Sequence, residues 1–236
     1  MWHTGLIAKL ARLGITGQLL NWFESYLQDR YQRVVVNGEC STWGKIKAGV
    51  PQGSVLGPLL FLVYINDLTN VTQFSDVRLF ADDTILYLFI DNPVTNAQAL
   101  NLDLQNITDW ASKWLVKFSP QKTKTMILSR KWKQQNFHNL VMGGSVLQSV
   151  QSHKHLGVTI SKNLSWDKHV EDIVIKASKC LDVLSALKYR LDRNTLEKLY
   201  FAFVRSKVEY ACIVWDNCSE SLSQILENIQ YRADKL

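Results

Sequence analysis

Residues 77–88 have the sequence VRLFADDTILYL, in which two apolar, β-prone runs flank a polar pair. This pattern predicts a β-hairpin whose tip carries Asp82 and Asp83. Adjacent carboxylates repel each other unless a cation neutralises them, and their oxygens suit hard divalent cations. Phosphoryl transfer by two metal ions requires carboxylates of this kind. Asp-Asp is also ordinary turn chemistry, so the pair alone does not decide between the two interpretations.

A loop rich in glycine and proline lies upstream, with the sequence AGVPQGSVLGP at residues 48–58. An apolar run to about Asn66 follows and predicts a helix that starts where the loop ends. Such a loop would offer free backbone N–H groups and the positive end of a helix dipole to an anion. Its small residues would let a backbone or a base approach closely. The alternative interpretation is a plain turn that leads into a helix.

Hydrophobic periodicity and turn residues predict the other elements. Helices are predicted at residues 6–13, 18–28 and 95–117, from Ser165 as N-cap to Leu187, from Asn194 with Glu197 as a capping box, and from about Ser221. Strands are predicted at residues 32–37, 42–48, 123–129 (with Met126, Ile127 and Leu128 buried), 140–150 as a hairpin, and 155–160. The last third of the chain is therefore expected to be a small helical bundle.

The composition, with 47% hydrophobic and 20% charged residues among 236, is that of a soluble globular protein. The longest apolar stretch, residues 55–65, is too short to span a bilayer, so no membrane segment is expected. The first residues lack the layout of a secretion signal, which predicts a reducing, intracellular environment. The four cysteines have no CxxC spacing, and we interpret them as buried thiols or bystanders and not as a zinc site.

The positive charge is concentrated in one region of the chain. Residues 111–190 contain 14 Lys and Arg against 4 Asp and Glu, whereas residues 1–110 contain 7 against 10. A solvated surface can account for a mild excess, but an excess this local favours a polyanionic partner.

Four motifs, taken in order, resemble those of the reverse transcriptase of LINE-type (non-LTR) retrotransposons. GVPQGSVLGP at residues 49–58 is similar to the family's template- and nucleotide-contacting motif, and FADD at residues 80–83 to its catalytic metal-binding box. KTK at residues 122–124 resembles its following lysine motif, and HLGV at residues 155–158 its primer-grip hairpin. The resemblance covers essentially the whole chain, and PQGS-x-LGP followed by FADD is its most specific part.

The resemblance implies an α+β fold with two domains. Residues 1–162 would form the palm of a right-hand polymerase, an antiparallel sheet with helices on one face, and residues 163–236 a helical thumb bundle. The fingers and the first palm strand would be missing from this chain.

The resemblance also implies an RNA-directed DNA polymerase, a nucleotidyltransferase that joins dNTPs to the 3′-hydroxyl of a DNA primer on an RNA template. Its cofactor would be Mg²⁺, two ions in the intact enzyme, with Mn²⁺ as an alternative. Asp82 would bind metal, Asp83 would support it, and Lys122 would be a candidate proton donor to pyrophosphate. The template and the nucleotide would contact Pro51, Gln52, Gly53, Ser54, Phe80 and Ala81. The primer grip would consist of His155, Leu156 and Gly157. The nucleic-acid backbone would contact Lys124, Arg130, Lys131 and Lys133.

One feature of the family pattern is absent from the sequence. In the family, a first strand that ends in another metal-binding aspartate comes just before the residues that match Trp2 and His3. No Asp or Glu occurs before Glu24. We therefore expect the isolated chain to be inactive, a fragment that works with the fingers and endonuclease domains of a longer polyprotein in cytoplasm and nucleus.

Two alternatives remain open from the sequence. The chain could be a non-catalytic relic that still binds RNA or an RNA–DNA hybrid through its basic region. A third interpretation, a helical interaction module formed by residues 166–236, has no specific sequence feature in its favour.

Overall fold

The computed structural model describes residues 1–130 and 137–235. The chain divides into two compact units, and the described residues are 1–123 with 137–148 in the first unit and 124–130 with 149–235 in the second. Helices and antiparallel strand pairs are mixed along the chain, which confirms the α+β class. The predicted domain limit between residues 162 and 163 falls inside the second unit. No helix in the described part of the chain is long and apolar enough to cross a membrane.

Up to the long fourth helix, the chain contains groups of helices and of short strands. In chain order they are α1 (His3–Arg12), α2 (Gly17–Leu27), β1 (Tyr31–Gln32), β2 (Val35–Val36), β3 (Glu39–Cys40), β4 (Gly44–Lys45), α3 (Leu56–Ile65), a 3₁₀ helix (Asn66–Asn70), β5 (Asp76–Phe80), β6 (Asp83–Tyr87) and α4 (Pro93–Lys113). Short strands follow, and then helices: β7 (Lys124–Thr125), β8 (Val141–Met142), β9 (Ser145–Val146), β10 (Gln148–Ser149), β11 (Ser152–His155), β12 (Val158–Ser161), α5 (Asp167–Leu187), α6 (Arg193–Tyr200), a π-helical turn (Phe201–Arg205), α7 (Ser206–Val208), α8 (Cys212–Trp215) and α9 (Glu220–Asp234).

Helix α4 shows how local signals set the bounds of an element. The Asn92 side chain accepts hydrogen bonds from the backbone N–H groups of Val94 and Thr95, and Pro93 occupies the first helical turn. The helix therefore begins two residues before the predicted start. It ends at Lys113, four residues earlier than predicted, because Leu115 adopts a left-handed backbone conformation with φ +53°.

The core of the first unit surrounds the apolar side of α4. The predicted stripe of this helix is buried or half-buried together with Leu6 and Leu10 of α1 and Leu60 and Tyr64 of α3. The stripe residues in this core are Ala97, Leu100, Leu104, Ile107, Trp110, Ala111 and Trp114.

The predicted continuous antiparallel sheet is not present among the described residues. The described strands form six separate two-stranded pairs. The pairs β1–β4, β2–β3, β5–β6, β8–β9 and β11–β12 are antiparallel, and β7 pairs with β10. Most strands contain only two residues, which leaves little backbone for pairing on a second edge. The predicted strand 123–129 shortens to β7, and Leu128 is exposed instead of buried.

The second unit is built on α5. Its predicted apolar stripe is buried, including Val170, Ile173, Ala177, Leu181 and Leu184. The hairpin β11–β12 packs on the same helix.

Two of the predicted helix caps in the second unit are wrong. Helix α5 starts after Trp166 and has no side-chain cap, so Ser165 is not its N-cap. Helix α6 is capped by Asp192, whose carboxylate accepts from the Thr195 backbone N–H, instead of by Asn194. Asp192 comes one residue before the helix, the position from which its carboxylate reaches a free N–H of the first turn. Cys40 and Cys212 are exposed, so of the two predicted alternatives, buried thiols or bystanders, only the second fits them.

Candidate active site

Asp82 and Asp83 lie at the tip of the hairpin β5–β6, as predicted. The ladder ends at the pair Phe80 and Asp83, so Ala81 and Asp82 are the two turn residues. Ala81 has φ +52°, whereas Asp82 has no positive φ. A positive φ at the first central position only is typical of a type II′ turn, whose twist matches the strands on either side. The hairpin therefore fixes the backbone under both carboxylates.

Both carboxylates face solvent, and neither forms an ion pair or a side-chain hydrogen bond with a described residue. Two exposed, unpaired and adjacent carboxylates have the oxygen chemistry that hard divalent cations prefer. Within residues 1–130 and 137–235, no group of three or more His, Cys, Asp or Glu is placed to hold a metal ion. The turn thus supplies two acidic ligands that fit a divalent cation.

The segment that leads into β5 is held by a buried aspartate on α4. Asp103 is fully buried, and its carboxylate accepts from the backbone N–H groups of Gln73, Phe74 and Ser75 at 2.8–3.0 Å. It also accepts from the Ser75 hydroxyl at 2.6 Å. Hydrogen bonds to a buried carboxylate are strong, so Asp103 is a positioning residue for the hairpin.

Our sequence reasoning did not identify Asp103, although the sequence contains a signal for it. The residue lies three positions after Leu100 and four before Ile107, on the apolar side of the helix. A charged residue within an apolar helical stripe indicates a buried group with a specific partner.

The loop before α3 is shaped by its own hydrogen bonds. The Ser54 hydroxyl donates to the Pro51 carbonyl at 2.7 Å and accepts from the Gly57 N–H at 3.1 Å. The predicted free N–H groups at the start of the helix are therefore partly occupied, because Ser54 takes one of them. Gln52 and Gly53 are exposed, and Gly53 has φ +80°, a backbone conformation that favours glycine.

The start of the chain holds the first residues of this loop. Trp2 forms an antiparallel β-bridge with Ala48, and the Gly49 N–H donates to the Met1 carbonyl at 2.8 Å. The His3 ring donates from Nε2 to the Gly49 carbonyl at 2.7 Å. These contacts fix the backbone at Gly49, whose φ of +92° favours glycine.

The loop and the carboxylate turn are built on the same core. Val50 and Leu56 at the ends of the loop and Leu79 and Leu86 of the hairpin all pack against the buried cluster that contains Tyr64. Phe80 is 63% exposed and Ala81 is exposed. The structure therefore gathers the predicted metal ligands and the predicted nucleotide-contacting residues in one compact unit.

A buried lysine supports the far end of α3, and sequence reasoning missed it as well. The Lys9 ammonium is 2.5 Å from the Asp67 carboxylate, donates to the Tyr64 carbonyl, and lies 3.9 Å from the centre of the Trp114 ring. Burial lowers the pKa of Lys9, and the Asp67 carboxylate opposes that shift. Its place between Leu6 and Leu10 in a buried helix stripe was the available signal.

The remaining predicted site residues are divided between the units. Lys122 is exposed in the first unit, whereas Lys124 and Arg130 belong to the second. Lys131 and Lys133 lie outside the described residues.

The predicted primer-grip residues form the tip of hairpin β11–β12 in the second unit. His155 ends β11, and Leu156 and Gly157 are the two turn residues, both with positive φ. The Tyr210 hydroxyl donates to the Leu156 carbonyl at 2.8 Å, and a Cβ on Gly157 would meet the Tyr210 ring at 2.8 Å. Only glycine fits under this ring.

Comparison with known proteins gives consistent similarities. A family model described as "Reverse transcriptase (RNA-dependent DNA polymerase)" matches residues 1–160. The chain is 30% identical to a probable RNA-directed DNA polymerase from transposon BS of Drosophila melanogaster, in a match that covers 99% of this chain and 27% of that protein. It is also 30% identical to the RNA-directed DNA polymerase from mobile element jockey of the same fly, over 73% of this chain and 19% of that protein.

A third relative is 25% identical to the chain over its whole length. It is a probable RNA-directed DNA polymerase from transposon X-element of Drosophila melanogaster, and the match covers 26% of that protein. The chain thus spans between 19% and 27% of the length of these three relatives.

Proposed function

Because this chain belongs to the reverse transcriptase (RNA-dependent DNA polymerase) family, we propose that it forms the palm and thumb of an RNA-directed DNA polymerase of a non-LTR retrotransposon. Its substrates are dNTPs, a DNA primer and an RNA template. The single observation that carries the proposal is the exposed, unpaired Asp82–Asp83 turn, which packs on the same core as the loop that presents Gln52 and Gly53.

Asp82 and Asp83 are the residues that hold Mg²⁺ in this proposal. Bound divalent ions supply Lewis-acid activation of the primer hydroxyl and charge stabilisation at the leaving pyrophosphate. The protein itself holds the two carboxylates in position. The hairpin ladder fixes the turn, and Asp103 fixes the segment before it, so the carboxylates need little reorganisation when the cation binds.

The Gln52–Gly53 segment contacts the template base and the incoming nucleotide in this proposal. Gly53 lacks a Cβ, so a base can approach the backbone closely. Phe80, which is 63% exposed beside the turn, offers an aromatic surface for the nucleotide. Lys122, Lys124 and Arg130 contribute positive charge toward phosphates, without discrimination between sequences.

We further propose that a polypeptide of these 236 residues alone does not polymerise. A two-metal site needs more acidic ligands than the pair at the turn, and no group of three or more His, Cys, Asp or Glu is placed to hold a metal ion in the described part of the chain. The proposal concerns the isolated polypeptide and assigns it the role of one part of a longer enzyme.

The test is primer extension with a chimera. The part of the transposon BS polymerase that precedes the matched region is joined to Met1, and the chimera receives an RNA template, a labelled DNA primer, dNTPs and Mg²⁺ or Mn²⁺. We expect template-directed product from the chimera and none from the 236-residue chain. The substitution Asp82→Asn should reduce the rate at least about a thousandfold, because a residue that acts as part of a catalytic unit is lost.

Asp76→Asn is the matched control, because Asp76 lies on the same hairpin at the opposite end of the ladder and is also exposed. It should leave the extension rate unchanged. Equal losses in both variants, or full activity with Asp82→Asn, would contradict the proposed role of Asp82. Extension by the isolated chain that disappears with Asp82→Asn would contradict the proposed inactivity.

The charge of residues 111–190 supports a second candidate function, a non-catalytic protein that binds RNA or an RNA–DNA hybrid. It requires binding that weakens with salt, because released counterions drive contacts to phosphates. Binding should be indifferent to Asp82→Asn and weaker when Lys122, Lys131 and Lys133 are neutralised together. Affinity that does not change with salt would exclude this function.

A further inference from the structure

Residues 31–45 form a two-stranded ribbon to which no role has been assigned so far. It consists of the pairs β1–β4 and β2–β3, joined by the turn at Asn37 and Gly38. Every residue from 31 to 44 is exposed, so both faces of the ribbon are open. An isolated two-stranded ribbon is only marginally stable, and exposure on both faces leaves either face of this ribbon free for a further contact.

The pairing register gathers aromatic and cationic side chains on one face. Tyr31 is the partner of Lys45 in the ladder, which ends at the next pair, Gln32 and Gly44. Just beyond the ladder, Arg33 contacts the ring of Trp43 across the ribbon. Opposite residues of an antiparallel pair share a face, and so do residues two apart in one strand. The four side chains therefore form a two-by-two pattern in which each aromatic ring is opposite a cation.

The distances agree with this pattern. The Arg33 guanidinium lies 4.7 Å from the centre of the Trp43 ring, and the Lys45 ammonium lies 6.0 Å from the centre of the Tyr31 ring. Trp43 is nevertheless 61% exposed and Tyr31 53% exposed. Each ring thus has a cation against it and still presents a large aromatic surface to solvent.

A bulge separates this face from the tip of the ribbon. Between the pairs Gln32–Gly44 and Val35–Cys40, one strand contains two residues and the other three. Such an extra residue increases the local twist of the ribbon, so the regular ladder next to the face is short.

From this arrangement we propose that Tyr31, Arg33, Trp43 and Lys45 form a binding platform for single-stranded nucleic acid. The two aromatic rings stack unpaired bases, and the two cations contact the phosphates between them. Alternating aromatic and cationic groups are how proteins bind single strands without sequence preference. In and next to the ribbon, the cations Arg30, Arg33, Lys45 and Lys47 outnumber the acids Asp29 and Glu39, and among the described residues Lys45 is the cation of this group that forms an ion pair, with Asp29 at 2.9 Å.

The inference rests on the proposed function only for the identity of the strand, which would be the RNA template. The ribbon contains none of the residues assigned to the metal, nucleotide or primer. Binding can therefore be measured in EDTA without dNTPs, so that a failure of the polymerase proposal and a failure of this one give different results.

The test measures fluorescence anisotropy of a labelled U-rich RNA 20-mer with the 236-residue chain. We expect the double substitution Tyr31→Leu/Trp43→Leu to weaken binding at least about tenfold, because two stacking contacts are lost. The double substitution Phe74→Leu/Phe89→Leu is the control. It removes two aromatic side chains of the same unit, 50% and 80% exposed, whose rings contact no cation of the described residues, and should not change the affinity. The DNA 20-mer of the same sequence distinguishes RNA from DNA as the strand.

Photo-cross-linking localises the contact without any substitution. An RNA that contains 5-bromouridine should cross-link to the tryptic peptides 31–33 and 34–45, which contain Tyr31 and Trp43. Unchanged affinity in the Tyr31→Leu/Trp43→Leu variant would overturn the proposal and leave the ribbon as a surface for a polypeptide. Cross-links confined to other peptides would overturn it equally, whereas a loss of binding in Asp82→Asn would assign the RNA to the carboxylate turn.

Discussion

At the scale of single residues, the carboxylate turn depends on a side chain that is distant in sequence. Asp103 accepts four hydrogen bonds from residues 73–75, immediately before β5. Its removal would free three backbone N–H groups that now have a buried, charged acceptor. The position of the turn is therefore coupled to the integrity of α4.

We predict that Asp103→Asn lowers the free energy of unfolding by about 3 kcal/mol. The asparagine amide keeps one acceptor oxygen, but its NH₂ group would face the backbone N–H groups of residues 73–75, which need an acceptor. Urea unfolding followed by circular dichroism measures the change. Asp109→Asn is the matched control on the same helix, since Asp109 is exposed and its carboxylate accepts a hydrogen bond from the exposed Gln105 side chain; it should change stability by less than about 0.5 kcal/mol. Equal effects of the two substitutions would refute the anchoring role of Asp103.

His169 gives the second unit a dependence on pH. Its ring is 3% exposed and lies 5.7 Å from the Trp215 ring and 6.2 Å from the Trp166 ring, measured between ring centres. Nδ1 accepts from the Thr159 N–H at 3.2 Å, so the neutral ring carries its proton on Nε2, which has no partner in the described residues. Burial lowers the pKa of His169, Lys176 and Lys154 lower it further, and Asp172 opposes them.

A lowered pKa in the folded state means that the unfolded chain binds a proton more readily. The stabilisation by neutral His169 is therefore complete above about pH 6.5 and is lost as pH falls from there toward the lower pKa of the folded state. We predict that protection of the Thr159 amide against hydrogen exchange decreases over this interval, with a slope of at most about 1.4 kcal/mol per pH unit.

The substitution His169→Phe should remove this pH dependence, and His153→Gln, at an exposed position on β11, should leave it intact. A slope that survives His169→Phe would show that another group causes it.

At the scale of elements, the hairpin tip was predictable and the pairing of strands was not. The sequence around Asp82 contains both strands and the turn between them, so local signals suffice. A continuous sheet would require strands that are distant in sequence to pair with each other. Two-residue strands such as β1 and β7 are too short to show an alternation of apolar and polar residues, so the sequence gives no basis for predicting their partners. Asp103, Lys9 and His169 were missed for the same reason: a buried polar residue is explained by a partner that only the fold identifies.

The packing of the loop before α3 is sensitive to a small change. A Cβ on Gly57 would lie 3.0 Å from the Ser54 hydroxyl oxygen and 3.5 Å from the Pro51 carbonyl oxygen. We predict that Gly57→Ala displaces the loop that presents Gln52 and costs about 1–2 kcal/mol of stability, as overpacking does. Thermal unfolding measures the cost, and Leu59→Ala, at a 55% exposed position of the same helix, should cost less. A Gly57→Ala protein as stable as the unmodified chain would show that the loop accommodates a Cβ at this position without a cost in stability.

At the scale of the whole molecule, the region that the family model matches and the two compact units have different boundaries. The family model covers residues 1–160, which include the carboxylate turn, the loop and the hairpin at His155. The motifs that carry the resemblance were recognisable from sequence because their chemistry is local. The division of the chain into compact units was not, since residues 124–130 join the second unit through backbone hydrogen bonds with Val150 and Lys162, and β12 joins it through packing on α5.

The central claim is that the turn at Asp82 and Asp83 binds a divalent cation, and Mn²⁺ tests it without any catalysis. Titration of the ¹⁵N-labelled chain with substoichiometric Mn²⁺ should selectively broaden the amide signals of residues 80–84, because the paramagnetic ion relaxes only nearby nuclei. Asp82→Asn/Asp83→Asn should abolish the broadening, and Asp76→Asn should not. Uniform broadening along the chain, or selective broadening that persists in Asp82→Asn/Asp83→Asn, would contradict the claim.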